Sequence, residues 1–294
     1  MAPAEPEHPA DRLLRRIDAV GAPACVGLDP VVERLPAALR PAAGDAAAAA
    51  AIEAFSIGVI EAVRGAVAAV KVQAACFERH GADGAAALAR VLAAARAAGD
   101  LEVILDYKRG DIGISADHYA ASARGPMAAG WTTVSAYLGA DSLLPFLGAG
   151  HGAFALVRTS NPSGDAVQSL RLADGRSVAE AVADLVAACG AERCGTSGFS
   201  ALGAVVGATK PADAAALRGR MPRQMFLVPG YGAQGGGIDD VLPCFRPDGR
   251  GALVTASRSV IYAFDPADRQ WVDAVRRAAD ALRHELAAGL GVRS

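Results

Sequence analysis

Short apolar runs alternate with alanine-rich stretches along this chain of 294 residues. The apolar runs have the length of buried strands, whereas the longer alanine-rich stretches have the length and composition of helices. We predict eight strands, at 24–29, 67–73, 101–108, 132–137, 153–160, 203–209, 225–230 and 252–258. We predict helices that include 45–64, 84–98, 177–189, 212–218 and 268–290.

The regular alternation of strand and helix predicts an α/β protein. Eight strands that alternate with eight helices over roughly 250 residues are what a (β/α)8 TIM barrel requires. A doubly wound open sheet is the alternative, but it favours Gly-x-Gly-x-x-Gly after the first strand, where this chain has Gly27-Leu28-Asp29-Pro30. No linker interrupts the middle, so we predict a single domain over residues 12–294. Residues 1–11, MAPAEPEHPAD, read as a disordered N-terminal tail.

Composition and net charge argue against several classes of function. The net charge of −2 gives no electrostatic footprint for nucleic acid, so no nucleic-acid partner is expected. We expect no membrane span, because no apolar run reaches about 18 residues without a charge or a glycine. The five cysteines form no Cys-x-x-Cys pair and the five histidines show no metal spacing, so we expect reduced thiols, no metal and a cytoplasmic location.

The third predicted strand carries the most informative motif. Its apolar run ends in Asp106, Lys108 and Asp111, with the spacing Asp-x-Lys-x-x-Asp. Residues at i and i+2 of a strand share a face, so Asp106 and Lys108 are expected to point the same way. Opposite charges at the end of a buried strand are costly to desolvate, which indicates a site that uses them. A salt bridge that closes the strand end is the plain structural alternative.

Lysine is rare in this chain, where 29 basic residues include only Lys71, Lys108 and Lys210. A guanidinium stays protonated and cannot hand over a proton, so a retained lysine indicates a place that needs an ammonium. Lys71 and Lys108 both end predicted strands, whereas Lys210 precedes Pro211 at a predicted helix start.

Polar residues gather at the carboxyl ends of the predicted strands, the end at which barrels of this class carry their active sites. The loop after strand 7, residues 229–237, is rich in glycine, which lets backbone N–H groups approach an anion closely. Strand 8 is followed by Ser257-Arg258-Ser259, and arginine is a fork-shaped partner for phosphate. Together the two loops predict a phosphorylated small-molecule ligand.

In these motifs the chain resembles the orotidine 5′-phosphate decarboxylase family, in its bacterial type 2 branch. The resemblance runs over nearly the whole chain and rests on CVGLDP, VKVQAACFE, LDYKRGDIG, RTSNPSGDAVQ, VVGAT, VPGYGAQGG and SRS. It implies a (β/α)8 barrel that acts as a homodimer without a cofactor. The implied reaction converts orotidine 5′-phosphate to UMP and CO2, a step of de novo pyrimidine biosynthesis.

The resemblance also implies roles for individual residues. The catalytic tetrad would be Lys71, Asp106, Lys108 and Asp111, with Asp111 reaching into the site of the partner subunit. Asp29 would bind a ribose hydroxyl, Ser115 the ribose in the adjoining subunit, and Ser160 the amide edge of the pyrimidine. Pro229, Gln234, Gly235 and Arg258 would hold the phosphate. Ile114 departs from the polar residue that the family often has before the hydroxyl residue.

The implied reaction leaves negative charge on a ring carbon, and we hypothesise that Lys108 stabilises this carbanion and then protonates it. The sequence leaves three alternative functions open. A Schiff-base aldolase also places a lysine inside a barrel. A metal-dependent sugar-phosphate decarboxylase or epimerase would share the general site, and a barrel that binds a phosphorylated ligand without catalysis is the third.

Overall fold

The computed structural model describes residues 6–41, 44–148, 150–232 and 235–291. Eight parallel strands close into a barrel in the order of the sequence, with β8 pairing to β1. The strands are β1 Ala24–Leu28, β2 Ala69–Gln73, β3 Glu102–Arg109, β4 Trp131–Ser135, β5 Gly152–Arg158, β6 Leu202–Val206, β7 Phe226–Pro229 and β8 Ala252–Ala256. The predicted single-domain (β/α)8 barrel is confirmed.

Helices surround the barrel or cover its ends. They are α1 Pro9–Val20, α2 Asp45–Val63, α3 Ala74–Glu78, α4 Gly81–Ala97, α5 Gly113–Arg124, α6 Asp165–Gln168, α7 Val178–Gly190, α8 Pro211–Arg220, α9 Ile238–Val241, α10 Arg258–Ile261 and α11 Trp271–Gly289. Short 3-10 turns lie at Val32–Arg34, Ala37–Leu39, Ala140–Ser142, Leu144–Phe146, Pro162–Gly164 and Leu242–Cys244. The expected strict alternation fails after β4, where 3-10 turns stand in place of an α-helix in the described part of that connection.

The side chains of each strand alternate between two apolar layers. In β3, Val103 and Leu105 pack outward against the helices, while Ile104 belongs to the interior of the barrel. Asp106 follows Ile104 by two residues and therefore points into the barrel. In β2, Lys71 lies beside Ile104 and Gln73 beside Asp106, so the polar side chains of the two strands meet at the carboxyl end.

Helix α1 covers the amino-terminal end of the barrel. One face of this helix is apolar and packs against the interior of the barrel at its amino-terminal end. The face has the i, i+3, i+4, i+7 spacing and consists of Ala10, Leu13, Leu14 and Ile17. The predicted boundary of the tail after residue 11 therefore lies too late, because the helix already begins at Pro9. Proline suits the first turn of a helix, where its missing N–H costs nothing. Residues 1–5 lie outside the described part of the chain.

Helix α2 is long and apolar enough to be compared with a membrane-spanning segment. Ten of its 19 residues are buried in this domain, among them Ile52, Phe55 and Ile60. Its closest neighbours are α4 and α11. The apolar composition of α2 is accounted for by its packing in the outer layer of the barrel.

Candidate active site

A cavity of about 390 Å³ opens at the carboxyl-terminal end of the barrel. Its size falls in the range of ligand-binding pockets. All eight strands or the segments directly after them contribute to its wall, which brings together residues far apart in sequence. The polar lining includes Asp29, Lys71, Asp106, Lys108, Ser160 and Arg258.

Asp106 is the centre of the site. Its Oδ2 accepts hydrogen bonds from Lys71 Nζ at 2.6 Å and Gln73 Nε2 at 3.1 Å. Its Oδ1 accepts from Lys108 Nζ at 2.6 Å and Thr133 Oγ1 at 2.8 Å. Four donors thus hold a carboxylate that is only 5% exposed, which fixes its position and satisfies both oxygens.

A second carboxylate extends the cluster into a row of alternating charges. Asp29 Oδ1 lies 3.7 Å from Lys71 Nζ, so the order across the cavity is Lys108, Asp106, Lys71 and Asp29. The Oδ1 atom of Asp29 is buried, yet it accepts no hydrogen bond from the described residues. The Asp29 side chain as a whole is 34% exposed and lines the cavity, so a ligand hydroxyl can donate to its carboxylate.

The pairing keeps the cluster ionised. Burial alone would lower the pKa of Lys71, but the carboxylates of Asp106 and Asp29 outweigh burial and hold its pKa above the usual range. Burial alone would raise the pKa of Asp106, but Lys71 and Lys108 hold it well below its usual range. Lys71 and Asp106 therefore both stay charged near neutral pH. They act on a ligand through their charge and not by exchanging protons.

Lys108 differs from Lys71 in its exposure. Its side chain is 46% exposed at the cavity, compared with 8% for Lys71. An ammonium has three N–H donors, and Asp106 is the one acceptor that Lys108 Nζ reaches among the described residues. The remaining donors of Lys108 face the space that a ligand would fill.

The opposite side of the cavity is formed by the loops after β7 and β8. Pro229, Gly230 and Arg258 line it, and Gly230 has a φ of 101° that few other residues adopt. Gly235 lies in the same loop with a φ of 90° and is exposed. Arg258 makes no ion pair with any described residue, so its guanidinium is available to an anion. Gln234, which we predict to bind the phosphate, lies outside the described residues.

The loop after β5 brings Ser160 to the cavity, flanked by Thr159 and Asn161. In a regular strand, Arg158 would share the face of Ser160, two residues further on. The strand is irregular at this point, and the register with β6 shifts between Leu156 and Arg158. Arg158 instead turns outward and is buried, with Nη2 2.7 Å from Asp165 Oδ1 and Nε 2.7 Å from Asp213 Oδ2.

The same network explains the third lysine. Lys210 Nζ lies 2.8 Å from both carboxylate oxygens of Asp165, and so it joins the group that surrounds Arg158. Gln168 links this group to the cavity, since its Oε1 accepts from Arg158 Nη1 at 3.1 Å and from Thr159 N at 3.0 Å. Lys210 is therefore a structural partner of the loop after β5.

The structure does not bring Asp111 and Ser115 to the cavity of their own chain. Asp111 follows β3, and its Oδ1 accepts a hydrogen bond from Ile112 N at 2.9 Å. Ser115 lies in the first turn of α5. Their neighbours Ile112 and Ile114 are 57% and 73% exposed, so this segment presents an apolar surface beside the cavity mouth.

Sequence reasoning missed two residues that contact Asp106, namely Gln73 and Thr133. Gln73 could have been found, because it follows Lys71 by two residues in the same strand and so shares its face. Thr133 could not, because its contact depends on how β3 pairs with β4. Within the described residues, no three His, Cys, Asp or Glu side chains converge as metal ligands do. The expectation that no metal or cofactor takes part stays a prediction.

A closed parallel barrel whose charged side chains meet at the carboxyl ends of the strands has the architecture of the TIM-barrel enzymes. The family model for orotidine 5′-phosphate decarboxylase / HUMPS matches residues 23–269. The chain therefore belongs to this family, and the predicted resemblance is confirmed at that level.

Individual relatives agree with this assignment. The chain is 42% identical over 298 residues to an orotidine 5′-phosphate decarboxylase of Rhodopirellula baltica, covering 94% of this chain and 98% of the relative. A decarboxylase of the same name from Deinococcus radiodurans is 42% identical over 276 residues, covering 91% and 93%. The structure of Leishmania donovani OMP decarboxylase matches with a TM-score of 0.78 and 36% identity, covering 97% of this chain and 100% of that one.

Proposed function

We propose that this protein converts orotidine 5′-phosphate to UMP and CO2 in pyrimidine biosynthesis. The single observation that carries the proposal is the row of alternating charges at the cavity floor, with Lys108 at its exposed end. The family relation supports the substrate. Arg258 on the opposite wall, which makes no ion pair with a described residue, supports a phosphorylated ligand.

In the proposed mechanism, the bond between C6 of the pyrimidine and the carboxylate carbon breaks, and its electron pair stays on C6. The ammonium of Lys108 stabilises this carbanion and then donates a proton to C6, which yields UMP. Lys108 regains a proton from solvent, so the net reaction consumes one proton and releases CO2. The substrate carboxylate would lie against Asp106, whose like charge disfavours the bound ground state.

The cluster alone does not account for the rate. A charge pair at about 4 Å with an effective dielectric near 20 is worth roughly 4 kcal/mol, whereas enzymes lower barriers by about 8–23 kcal/mol. We therefore assign a share of catalysis to contacts remote from C6. Asp29 would accept a ribose hydroxyl and Ser160 would bind the pyrimidine amide. The phosphate would be held by Pro229, Gln234, Gly235 and Arg258.

We further propose a homodimer in which Asp111 and Ser115 serve the site of the partner subunit. Two observations support this arrangement. Neither residue lines the cavity of its own chain, and the adjacent Ile112 and Ile114 are exposed apolar side chains. Exposed apolar groups that cluster beside a site are typical of a protein interface. The five free cysteines agree with the proposed cytoplasmic location.

The direct test is a spectrophotometric assay of orotidine 5′-phosphate loss by the purified protein, run without added metal and with EDTA. We expect turnover that EDTA does not change. Loss of activity in EDTA would instead favour a metal-dependent sugar-phosphate enzyme of the same general fold. Borohydride trapping of a carbonyl substrate would favour an aldolase, and tight UMP binding without CO2 release would favour a non-catalytic barrel.

A further inference from the structure

The pairing of β3 with β4 is interrupted where β3 approaches the cavity. Leu105 pairs with Thr132, and the next paired residues are Arg109 and Val134. The stretch from Leu105 to Arg109 is therefore two residues longer than the stretch of β4 that faces it. Extra residues in one strand form a bulge, which leaves backbone groups without ladder partners and re-aims side chains.

Lys108 lies in this bulge with an unusual backbone conformation. Its φ is 48°, in the left-handed region that side-chain-bearing residues seldom adopt. Such a conformation is costly and persists only where surrounding contacts hold it. The period of a regular strand therefore does not explain how Lys108 Nζ comes to lie 2.6 Å from Asp106 Oδ1. A contact outside β3 has to fix the bulge.

Thr133 of β4 provides that contact with a single hydroxyl. Its Oγ1 accepts a hydrogen bond from the backbone N–H of Lys108 at 3.1 Å and donates one to Asp106 Oδ1 at 2.8 Å. The residue is 1% exposed, so water does not replace either bond. The hydroxyl thus stands in for the missing ladder bond and joins the two charged residues through one atom.

We propose that Thr133 is a positioning residue for decarboxylation, which sets the distance between Lys108 and Asp106 by clamping the bulge of β3. This inference rests on the proposed function. Without the hydroxyl, the Lys108 N–H loses its acceptor on β4 and Asp106 loses one of its four donors. Both losses favour relaxation of the bulge, and a displacement of about 1 Å in a reacting group is enough to cost about 100-fold in rate.

The experiment compares three variants with the wild-type chain in the decarboxylation assay. Thr133→Val keeps the shape of the side chain and removes the hydroxyl, whereas Thr133→Ser keeps the hydroxyl. Thr132→Val is the matched control, because Thr132 is the neighbouring buried threonine and does not line the cavity. For each protein, kcat, KM, the dissociation constant of UMP and the unfolding midpoint are measured.

We expect kcat of Thr133→Val to fall about 100-fold with a UMP dissociation constant within about threefold of wild type. Thr133→Ser should recover kcat to within about fivefold, and Thr132→Val should leave it unchanged. Should Thr133→Val not fold, Thr133→Ala is held to the same criterion. A kcat within threefold of wild type in the hydroxyl-free variant, or an equal loss in Thr132→Val, would overturn the inference. Failure of the wild-type chain to release CO2 would instead refute the proposed function.

Discussion

Strand β3 carries a buried charge at each end, and the two ends are built differently. At the amino-terminal end, Glu102 is 2% exposed and meets Arg12 of α1 in a bidentate pair, with distances of 2.8 and 2.6 Å. At the carboxyl-terminal end, Asp106 is 5% exposed and is shared by Lys71 and Lys108. Both ends of β3 therefore bury a carboxylate, although the amino-terminal end is closed by α1 and the carboxyl-terminal end opens into the cavity.

The two ends of β3 differ in the hydrogen-bond donors that remain available to a ligand. At the closed end, the guanidinium of Arg12 is used by Glu102 and by the carbonyl of Gly150 at 3.0 Å, and α1 covers the pair. At the open end, two ammonium groups share one carboxylate, and Lys108 keeps donors that face the cavity. A buried ion pair thus indicates structure when its donors are used up, and chemistry when donors and open volume remain beside it.

The largest expected effect is on turnover at the open end. Lys108→Ala removes both the stabilising charge and the proton donor, so we expect kcat to fall at least about 10⁴-fold. Binding of UMP should persist, because Arg258 and the other ligand contacts remain. Steady-state kinetics and calorimetric titration with UMP measure the two quantities. Normal turnover in Lys108→Ala would refute the assignment of Lys108.

The next effect is on stability at the closed end. Glu102→Ala leaves Arg12 partly buried without its partner, and we expect the free energy of unfolding to fall by about 3 kcal/mol. Turnover per folded molecule should be unchanged. Urea denaturation gives the first quantity and active-site titration with kinetics the second.

A surface pair offers the matched control for this experiment. Arg90 and Glu53 form the same bidentate geometry, at 2.7 Å for both bonds, but Arg90 is largely exposed. Glu53→Ala should therefore cost less than about 1 kcal/mol. If Glu102→Ala were no more costly than Glu53→Ala, or if it lowered kcat, the contrast between the two ends of β3 would not hold.

The two ends also differed in how well the sequence predicted them. The period of two residues along β3 predicted that Asp106 and Lys108 point the same way, and their side chains do meet in the structure. The bulge and the positive φ of Lys108 were not foreseen. These depend on the register between β3 and β4, which brings residues about 25 positions apart together and leaves no local signal.

The closed end was missed for a different reason. The first residues of the chain are rich in proline and acid, and that composition predicted a tail up to residue 11. The helical spacing of Leu13, Leu14 and Ile17 begins just beyond it. The helix is held mainly by burial of this apolar face against the barrel, and a local reading of residues 1–11 contains no information on that partner. The roles of Asp111 and Ser115 stay predictions, because a second subunit is needed to test them.

A third expected effect is acid sensitivity of the closed end. His151 precedes β5, is 3% exposed, and its Nδ1 lies 2.7 Å from the carbonyl of Ala129. Burial lowers the pKa of His151 from 6.5 to about 4, against the hydrogen bond to Ala129, which raises it. Between pH 6.5 and pH 4, His151 is therefore protonated in the unfolded chain and neutral in the folded chain. The stability that this difference contributes is complete above pH 6.5 and is lost as the pH falls towards 4.

This linkage can be measured by urea denaturation between pH 7 and pH 4.5. We expect His151 to account for roughly 2.5 kcal/mol of the decrease in unfolding free energy over that interval. His151→Asn retains an N–H donor for Ala129 and does not titrate, so its decrease should be smaller by that amount. An identical pH dependence in the two proteins would show that His151 is not protonated on unfolding.

The smallest expected effect returns to the open end and concerns ligand binding alone. Arg258 is exposed and has no ion pair within the described ranges, so Arg258→Ala should leave the urea midpoint unchanged. Loss of a charge-assisted contact with phosphate is worth about 2 kcal/mol, which corresponds to a roughly 30-fold decrease in kcat/KM for orotidine 5′-phosphate. Orotidine, which lacks the phosphate, is the control substrate, and its kcat/KM should be the same for both proteins. An equal loss with orotidine would place Arg258 at the pyrimidine and not at the phosphate. Replacing Arg258 should thus weaken binding of the phosphate without changing stability, which distinguishes the open end from the closed end, where the guanidinium of Arg12 and the carboxylate of Glu102 bind each other.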